Sequence, residues 1–133
     1  NPKDVEALIA LGNANMMISR FEAAQELYSR VLAIQPKNLD VRTSLAIAYQ
    51  YGGKSDQALA ELKQNLRYDA KHDATLFNLG FLYHDVKKDP AAAREVWTRW
   101  LTWYPNAPAA ADIGRRVAAI ESAIGTGGAI SRK

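Results

Sequence analysis

The run Tyr51-Gly52-Gly53-Lys54-Ser55 resembles the end of a nucleotide-binding loop, in which backbone amides cradle phosphates and the lysine reaches them. That chemistry needs a first glycine five residues before the second, and Ala48 occupies the position. It also needs a buried strand leading in, whereas residues 39–51 carry a helical period. Gly52 is therefore expected to end a helix in the left-handed conformation, with Lys54 a solvated turn residue and Ser55 a helix cap. The two histidines, His72 and His84, fall on different elements, and Asp85 beside His84 points to another face. No His-x-x-x-His or Glu-x-x-His spacing occurs, and the absence of cysteine removes thiolate metal sites and disulfides. No catalytic residue, metal site or cofactor is expected. Trp97, Trp100 and Trp103 recur every three residues with Tyr104 alongside. They could stack a ligand or sit at a membrane interface, but helical spacing points to a core between two packed elements.

The chain that must position these residues has 133 of them, 48% hydrophobic, with a net charge of +3. That is enough for one folded domain. Lysine and arginine are scattered, and Lys87, Lys88, Arg115 and Arg116 make no continuous basic surface, so nucleic acid is not an expected partner. No apolar run approaches the length of a membrane span, so no membrane insertion by this segment is expected. A cysteine-free composition fits the cytoplasm or the periplasm and does not choose between them.

Laid against itself at an offset of 34, the chain repeats. Leu11-Gly12 falls on Leu45-Ala46 and then on Leu79-Gly80; Ala24 falls on Ala58, Tyr49 on Tyr83, and Pro2 on Pro36. Within each period a first apolar helical stripe is followed by a second. The first stripes are Val5, Leu8, Leu11, Gly12 and Asn15; Leu45, Ala46 and Tyr49; and Leu76, Leu79, Gly80 and Tyr83. The second are Phe21, Ala24, Leu27, Tyr28 and Val31; Ala58, Leu59, Leu62 and Leu66; and Ala93, Val96, Trp97 and Trp100. Each period thus reads as a helical hairpin whose small residues let two helices approach. Ser19 with Glu22 predicts a capping box, Ser55 and Asp89-Pro90 predict the starts of the later second helices, and Asn38 and Asp73 those of the first helices. One extra residue falls in the third hairpin's turn near Lys87-Lys88. A further amphipathic stretch, about 107–124, places Ala110, Ile113, Val117, Ile120 and Ile124 on one face and Asp112, Arg115, Arg116 and Glu121 on the other. Residues 125–133 read as a flexible tail.

The first helices carry a second stripe: Ile9, Asn13 and Met16; Thr43, Ile47, Gln50 and Tyr51; Phe77, Phe81 and His84.

The pattern closely resembles the tetratricopeptide repeat family, with repeats at about 5–38, 39–72 and 73–107. It departs from the family at Asn15, where tyrosine is expected, at Arg42, where tryptophan is, and at Ala70, where proline is. The first helix of the second repeat is the expected soft spot. The resemblance implies an all-α fold: a right-handed superhelix of three hairpins closed by a C-terminal capping helix, as solenoids require. It also implies a non-enzymatic interaction scaffold whose second stripe lines a concave groove for another protein or peptide. Members that clamp a C-terminal carboxylate do so with Lys, Asn and Arg; the matching positions here are Ile9, Asn13, Ser44, Ala74 and Asn78, of which one agrees and none is cationic. An apolar or aromatic peptide is the expected ligand, and truncating Phe77 or Phe81 is expected to weaken binding without unfolding the domain. Two other readings follow. The last hairpin with its capping helix is similar in shape to repeat domains of membrane-tethered bacterial cytochrome c maturation factors, and the open ends or groove could pair two copies as a homo-oligomer. Pro2, one period before Pro36 in a chain without an initiator methionine, suggests a piece of a longer, bacterial protein that continues upstream.

Overall fold

The computed structural model describes residues 4–131, with side chains described up to residue 125. Pro2 and the register argument built on it lie outside the described residues. Helices α1 (Val5–Met17), α2 (Phe21–Ile34), α3 (Leu39–Tyr51), α4 (Ser55–Tyr68), α5 (Asp73–Phe81), α6 (Pro90–Trp103) and α7 (Ala110–Ser131) follow one another, and no strand occurs among the described residues. Helices α1 and α2, α3 and α4, and α5 and α6 pair as hairpins, consecutive hairpins stack through α2 against α3 and α4 against α5, and α7 closes on α6.

Local chemistry explains several boundaries. Asp4, Asn38 and Asp89 accept the amides of Ala7, Val41 and Ala92 at 3.2, 3.1 and 3.1 Å, satisfying helix-start donors that would otherwise lack a partner. Pro90 follows Asp89 as the first helical residue, where its missing N–H costs nothing. Other expected caps differ. Arg20 rather than Ser19 precedes α2, Lys54 rather than Ser55 precedes α4, and His72 rather than Asp73 precedes α5; none of the three caps with its side chain. Ser19 is unavailable because it adopts φ 61°, turning the chain between helices. Gly53 (φ 80°) and Lys88 (φ 54°) are its counterparts in the next two hairpins. The left-handed residue of the second turn is therefore Gly53, not Gly52, whose φ is −81°.

The extra residue of the third hairpin is taken up before the turn. Leu82–Val86 winds as a π-turn, closed by the Lys87 amide on the Leu82 carbonyl at 2.9 Å. Such a turn absorbs one residue without breaking the helix. At the C-terminus, α7 runs on through Gly125 to Ser131, where a flexible tail was expected, and residues 132–133 lie outside the described residues.

Two apolar cores lie along the stack. One joins Leu8, Tyr28, Val31 and Leu45 of the first hairpins, and the other joins Leu62, Leu79, Trp97, Trp100 and Ile113 of the last. Trp97 and Trp100 are core residues as expected, with Trp97 donating to the Phe77 carbonyl at 3.2 Å and Trp100 to Asp73 Oδ1 at 2.5 Å. Trp103 is half-buried at the core's edge, with Lys71 Nζ 5.2 Å above its ring. Arg42, in the first helix of the second repeat where the soft spot was expected, is largely enclosed and bonds Glu61 at 2.7 Å and the Pro36 carbonyl at 2.6 Å. Gly12 and Gly80 lie against Tyr28 and Trp97, which a Cβ at either position would meet inside normal contact distance.

Candidate functional site

The residues of the Gly-Gly-Lys-Ser run sit in the α3–α4 turn. Lys54 Nζ donates to Gln25 Oε1 at 3.2 Å, and Gln25 Nε2 donates to the Ala48 carbonyl at 3.0 Å. Lys54 is thus tied to the neighbouring hairpin rather than freely solvated. A helix, not a strand, leads into the run.

The histidines behave differently from each other. His84 Nδ1 lies 2.7 Å from Asp85 Oδ1, and its ring lies 5.7 Å from that of Trp97. Sequence reasoning missed what surrounds His72. Its Nδ1 is 2.7 Å from Thr75 Oγ1 and its Nε2 is 3.1 Å from Asp40 Oδ1. A hydroxyl, an imidazole and a carboxylate in line are the ingredients of an activated nucleophile. Here Thr75 is fully buried, so its hydroxyl meets no substrate. Instead it accepts from Asn65 Nδ2 at 2.9 Å, and that amide also donates to Thr43 Oγ1 and the Leu39 carbonyl, each at 3.0 Å. The chain of bonds ties α3, α4 and α5 together. Asn65 fills the slot held by Val31 in the first hairpin and Trp100 in the third, so the sequence pattern showed the slot but not its polar content. No group of three or more metal-ligating side chains occurs among the described residues.

The structure places the second stripe in three ways. Ile9, Met16, Ile47, Gln50, Phe77, Phe81 and His84 are half-buried on the first helices, and Asn13 is exposed beside them. Asn13 Oδ1 accepts the Tyr28 hydroxyl at 2.6 Å, and burial pushes the Tyr28 phenol above its usual range. Asn13, Met16, Tyr28, Ser44 and Ile47 surround a cleft of about 220 Å³ between α1 and α3. Thr43 is corrected: it is 4% exposed and belongs to the Asn65 network, because its position in α3 faces α4 and α5. Tyr51 is also corrected: it lies at the end of α3, 64% exposed, with its ring stacked 5.6 Å from Phe21. Phe77 and Phe81 serve two purposes. Their rings lie 5.3 Å from Trp100 and 5.0 Å from Trp97, so they extend the core as well as facing outward. Their truncation without loss of stability is not to be expected. Arg116 of α7, assigned from the sequence to the outer face, sits 5.1 Å over the Phe81 ring and ion-pairs with Asp112 at 3.3 Å. The carboxylate-clamp positions hold no cation, and Asn78 is bonded to the Ala74 carbonyl at 2.8 Å. A second cleft, about 440 Å³ and mostly apolar, opens where His84 and Pro90 meet Arg116, Ile120 and Ile124 of α7. No described helix is long and apolar enough to cross a membrane.

Comparison with known proteins follows this geometry. Tetratricopeptide repeat protein 8 of Caenorhabditis elegans is 22% identical over 130 residues; the match takes in 91% of this chain and 26% of that protein. The chain thus spans about a quarter of the length of the curated relative it matches. Among solved structures, the Sgt2 repeat domain of Aspergillus fumigatus superposes with a TM-score of 0.80 at 23% identity, covering 94% of this chain and 82% of that one. The first repeat domain of Spaghetti (RPAP3), solved with the HSP90 peptide SRMEEVD, gives a TM-score of 0.78 at 18% identity, covering 94% and 96%. The family model of the tetratricopeptide repeat matches residues 8–79, just over half of the chain. The chain belongs to the tetratricopeptide repeat family.

Proposed function

We infer that the chain is a protein-interaction scaffold that holds an apolar or aromatic peptide segment along the first helices of its three hairpins. The observation that carries this reading is the set of half-buried apolar side chains Ile9, Met16, Ile47, Phe77 and Phe81, contributed by α1, α3 and α5, of which Met16 and Ile47 line the cleft between α1 and α3. A row of apolar side chains shared by consecutive repeats suits alternate anchors of an extended or helical peptide. Micromolar affinity needs about 8 kcal/mol. Each buried anchor contributes roughly 1.5–3 kcal/mol before the cost of association, so three or four anchors suffice. A carboxylate-terminated ligand such as SRMEEVD would meet no cation at the clamp positions Ile9, Asn13, Ser44, Ala74 and Asn78.

The variants that test this avoid the tryptophan contacts. Ile47→Asp and Met16→Asp alter the cleft and leave the tryptophans of the last hairpin untouched. Random-peptide display on the wild-type chain, followed by calorimetric titration of the recovered peptides, should yield sequences rich in aromatic and aliphatic residues. Their affinity should fall at least about tenfold for Ile47→Asp, or about 1.4 kcal/mol. Recovery of peptides with acidic C-termini, or equal affinity for wild type and both variants, would refute the groove.

A further inference from the structure

We propose that the cleft between the third hairpin and α7 is a second anchor site for the bound peptide, and that it selects an internal aspartate or glutamate beside a large apolar residue. The proposal rests on the groove reading above and names what the far end of that groove recognises. The cleft, about 440 Å³, is walled by Pro90, Ala119, Ile120, Ala123 and Ile124. Its polar lining residues are His84 and Arg116, and no carboxylate lines it. Ile124 is 38% exposed, an apolar side chain open to a partner. The bare side of α7 does not create this opening. That side carries Ala111, Gly114 and Ala118, with open space beside Gly114, and none of the three lines the cleft. The cleft lies instead where α7 passes His84 of the π-turn and Pro90 at the start of α6.

Arg116 selects the occupant. Its guanidinium lies 5.1 Å over the Phe81 ring, and its Nε donates to Asp112 Oδ2 at 3.3 Å. Stacking and one bond hold the group in place. Its two terminal amino groups have no hydrogen-bond partner among the described residues, and the side chain is 39% exposed. Asp112 also pairs with Arg115 at 3.5 Å, so one carboxylate serves two cations. Asp85 is held by His84 at 2.7 Å. A planar fork fixed in position with its donor edge open is the complement of a carboxylate. Because Arg116 covers Phe81, a segment passing from Phe77 and Phe81 into the cleft crosses it. The carboxylate then falls between apolar anchors, a place that an internal acidic residue fills and a chain terminus does not.

Random-peptide display on the wild-type chain should recover peptides in which an aspartate or glutamate neighbours a large apolar residue. Display on Arg116→Met should keep the apolar residues and lose the acidic preference. In calorimetric titration of a peptide recovered on wild type, Arg116→Met and Ile124→Asp should each weaken binding at least about tenfold, and Arg116→Lys by less. Replacing the peptide's acid by its amide should cost about as much against wild type and nothing further against Arg116→Met. Circular dichroism checks that each variant is folded. Full additivity of the two changes, or peptides without an acidic preference, overturns the proposal and leaves the groove standing, provided Ile47→Asp still weakens binding. Unchanged binding by Ile47→Asp and Met16→Asp removes the groove and the proposal with it. Displacement of the peptide by dodecanoate at equal affinity would assign the cleft to a free amphiphile and overturn the peptide assignment.

Discussion

Replacing Gly80 by alanine sets two effects of opposite sign against each other. Alanine favours a helix over glycine by about 1 kcal/mol, which alone predicts stabilisation. Yet a Cβ at Gly80 would stand 1.9 Å from Trp97 Nε1 and 2.3 Å from its Cδ1, where real contacts do not fall below 3.0 Å. Trp97 cannot swing aside. It is fully buried, it donates to the Phe77 carbonyl, and its ring packs against Phe81. Overpacking of this kind costs roughly 1–3 kcal/mol, rising toward the 3–5 kcal/mol of losing a buried aromatic outright if the indole is expelled. The net expectation is destabilisation by about 2 kcal/mol, or a fall in melting temperature of about 8 °C for a chain of this size. Gly12→Ala is the matched comparison. Its Cβ would meet Tyr28 Cε1 at 2.6 Å, a lesser conflict at the edge of a ring, so propensity and crowding should nearly cancel. Urea titration followed by far-ultraviolet circular dichroism measures both. The reasoning fails if Gly80→Ala is as stable as wild type, or if Gly12→Ala is the more damaging.

Two further outcomes follow from the same geometry. Asp89→Ala should cost about 1 kcal/mol by removing the acceptor for the Ala92 amide, whereas Ser55→Ala, which removes no cap, should stay within about 0.5 kcal/mol in thermal melts. Burial raises the folded-state pKa of Tyr28 above the ordinary phenol value of about 10, so its contribution to stability is complete below that pH and is lost as pH rises through the folded value. Tyr28→Phe should therefore soften the alkaline decline of the urea midpoint; Tyr104, also raised, first by burial and then by Asp73 and Asp69, sustains part of it. An unchanged alkaline slope would show that Tyr28 does not couple to folding.

The exposure of the proposed groove residues was legible in part. Ile9, Met16, Ile47 and His84 recur at set distances from the Leu-Gly position of each repeat, and the structure leaves all four half-buried. Thr43 shares the register of Ile9 and Phe77 yet is buried, and Tyr51, one residue past the register of Met16 and His84, is exposed at the helix end. Thr43 is claimed by Asn65 and Thr75, and Tyr51 by Phe21. Arg116 was assigned outward because helical period marks a face but not the aromatic ring waiting across it.

What the sequence by itself determined is the sort of information a helix reads within a few turns. The paired helices follow from apolar residues three and four apart, the repeat from their return after 34 residues, and the starts of α3 and α6 from Asn38 and Asp89. What only the tertiary structure decided is which neighbour each face meets. Leu11, Leu45 and Leu79 are the same residue at the same point of the same repeat, yet the first is 53% exposed and the others 2%. Nor does spacing show that Asn65, in the slot of Val31 and Trp100, is buried in a hydrogen-bond network, or that an inserted residue settles into a π-turn rather than a longer loop. Helix formation depends on bonds within one segment. Burial depends on segments separated along the chain by 20 residues or more, such as Asn65 and Thr43, and only folding brings those together.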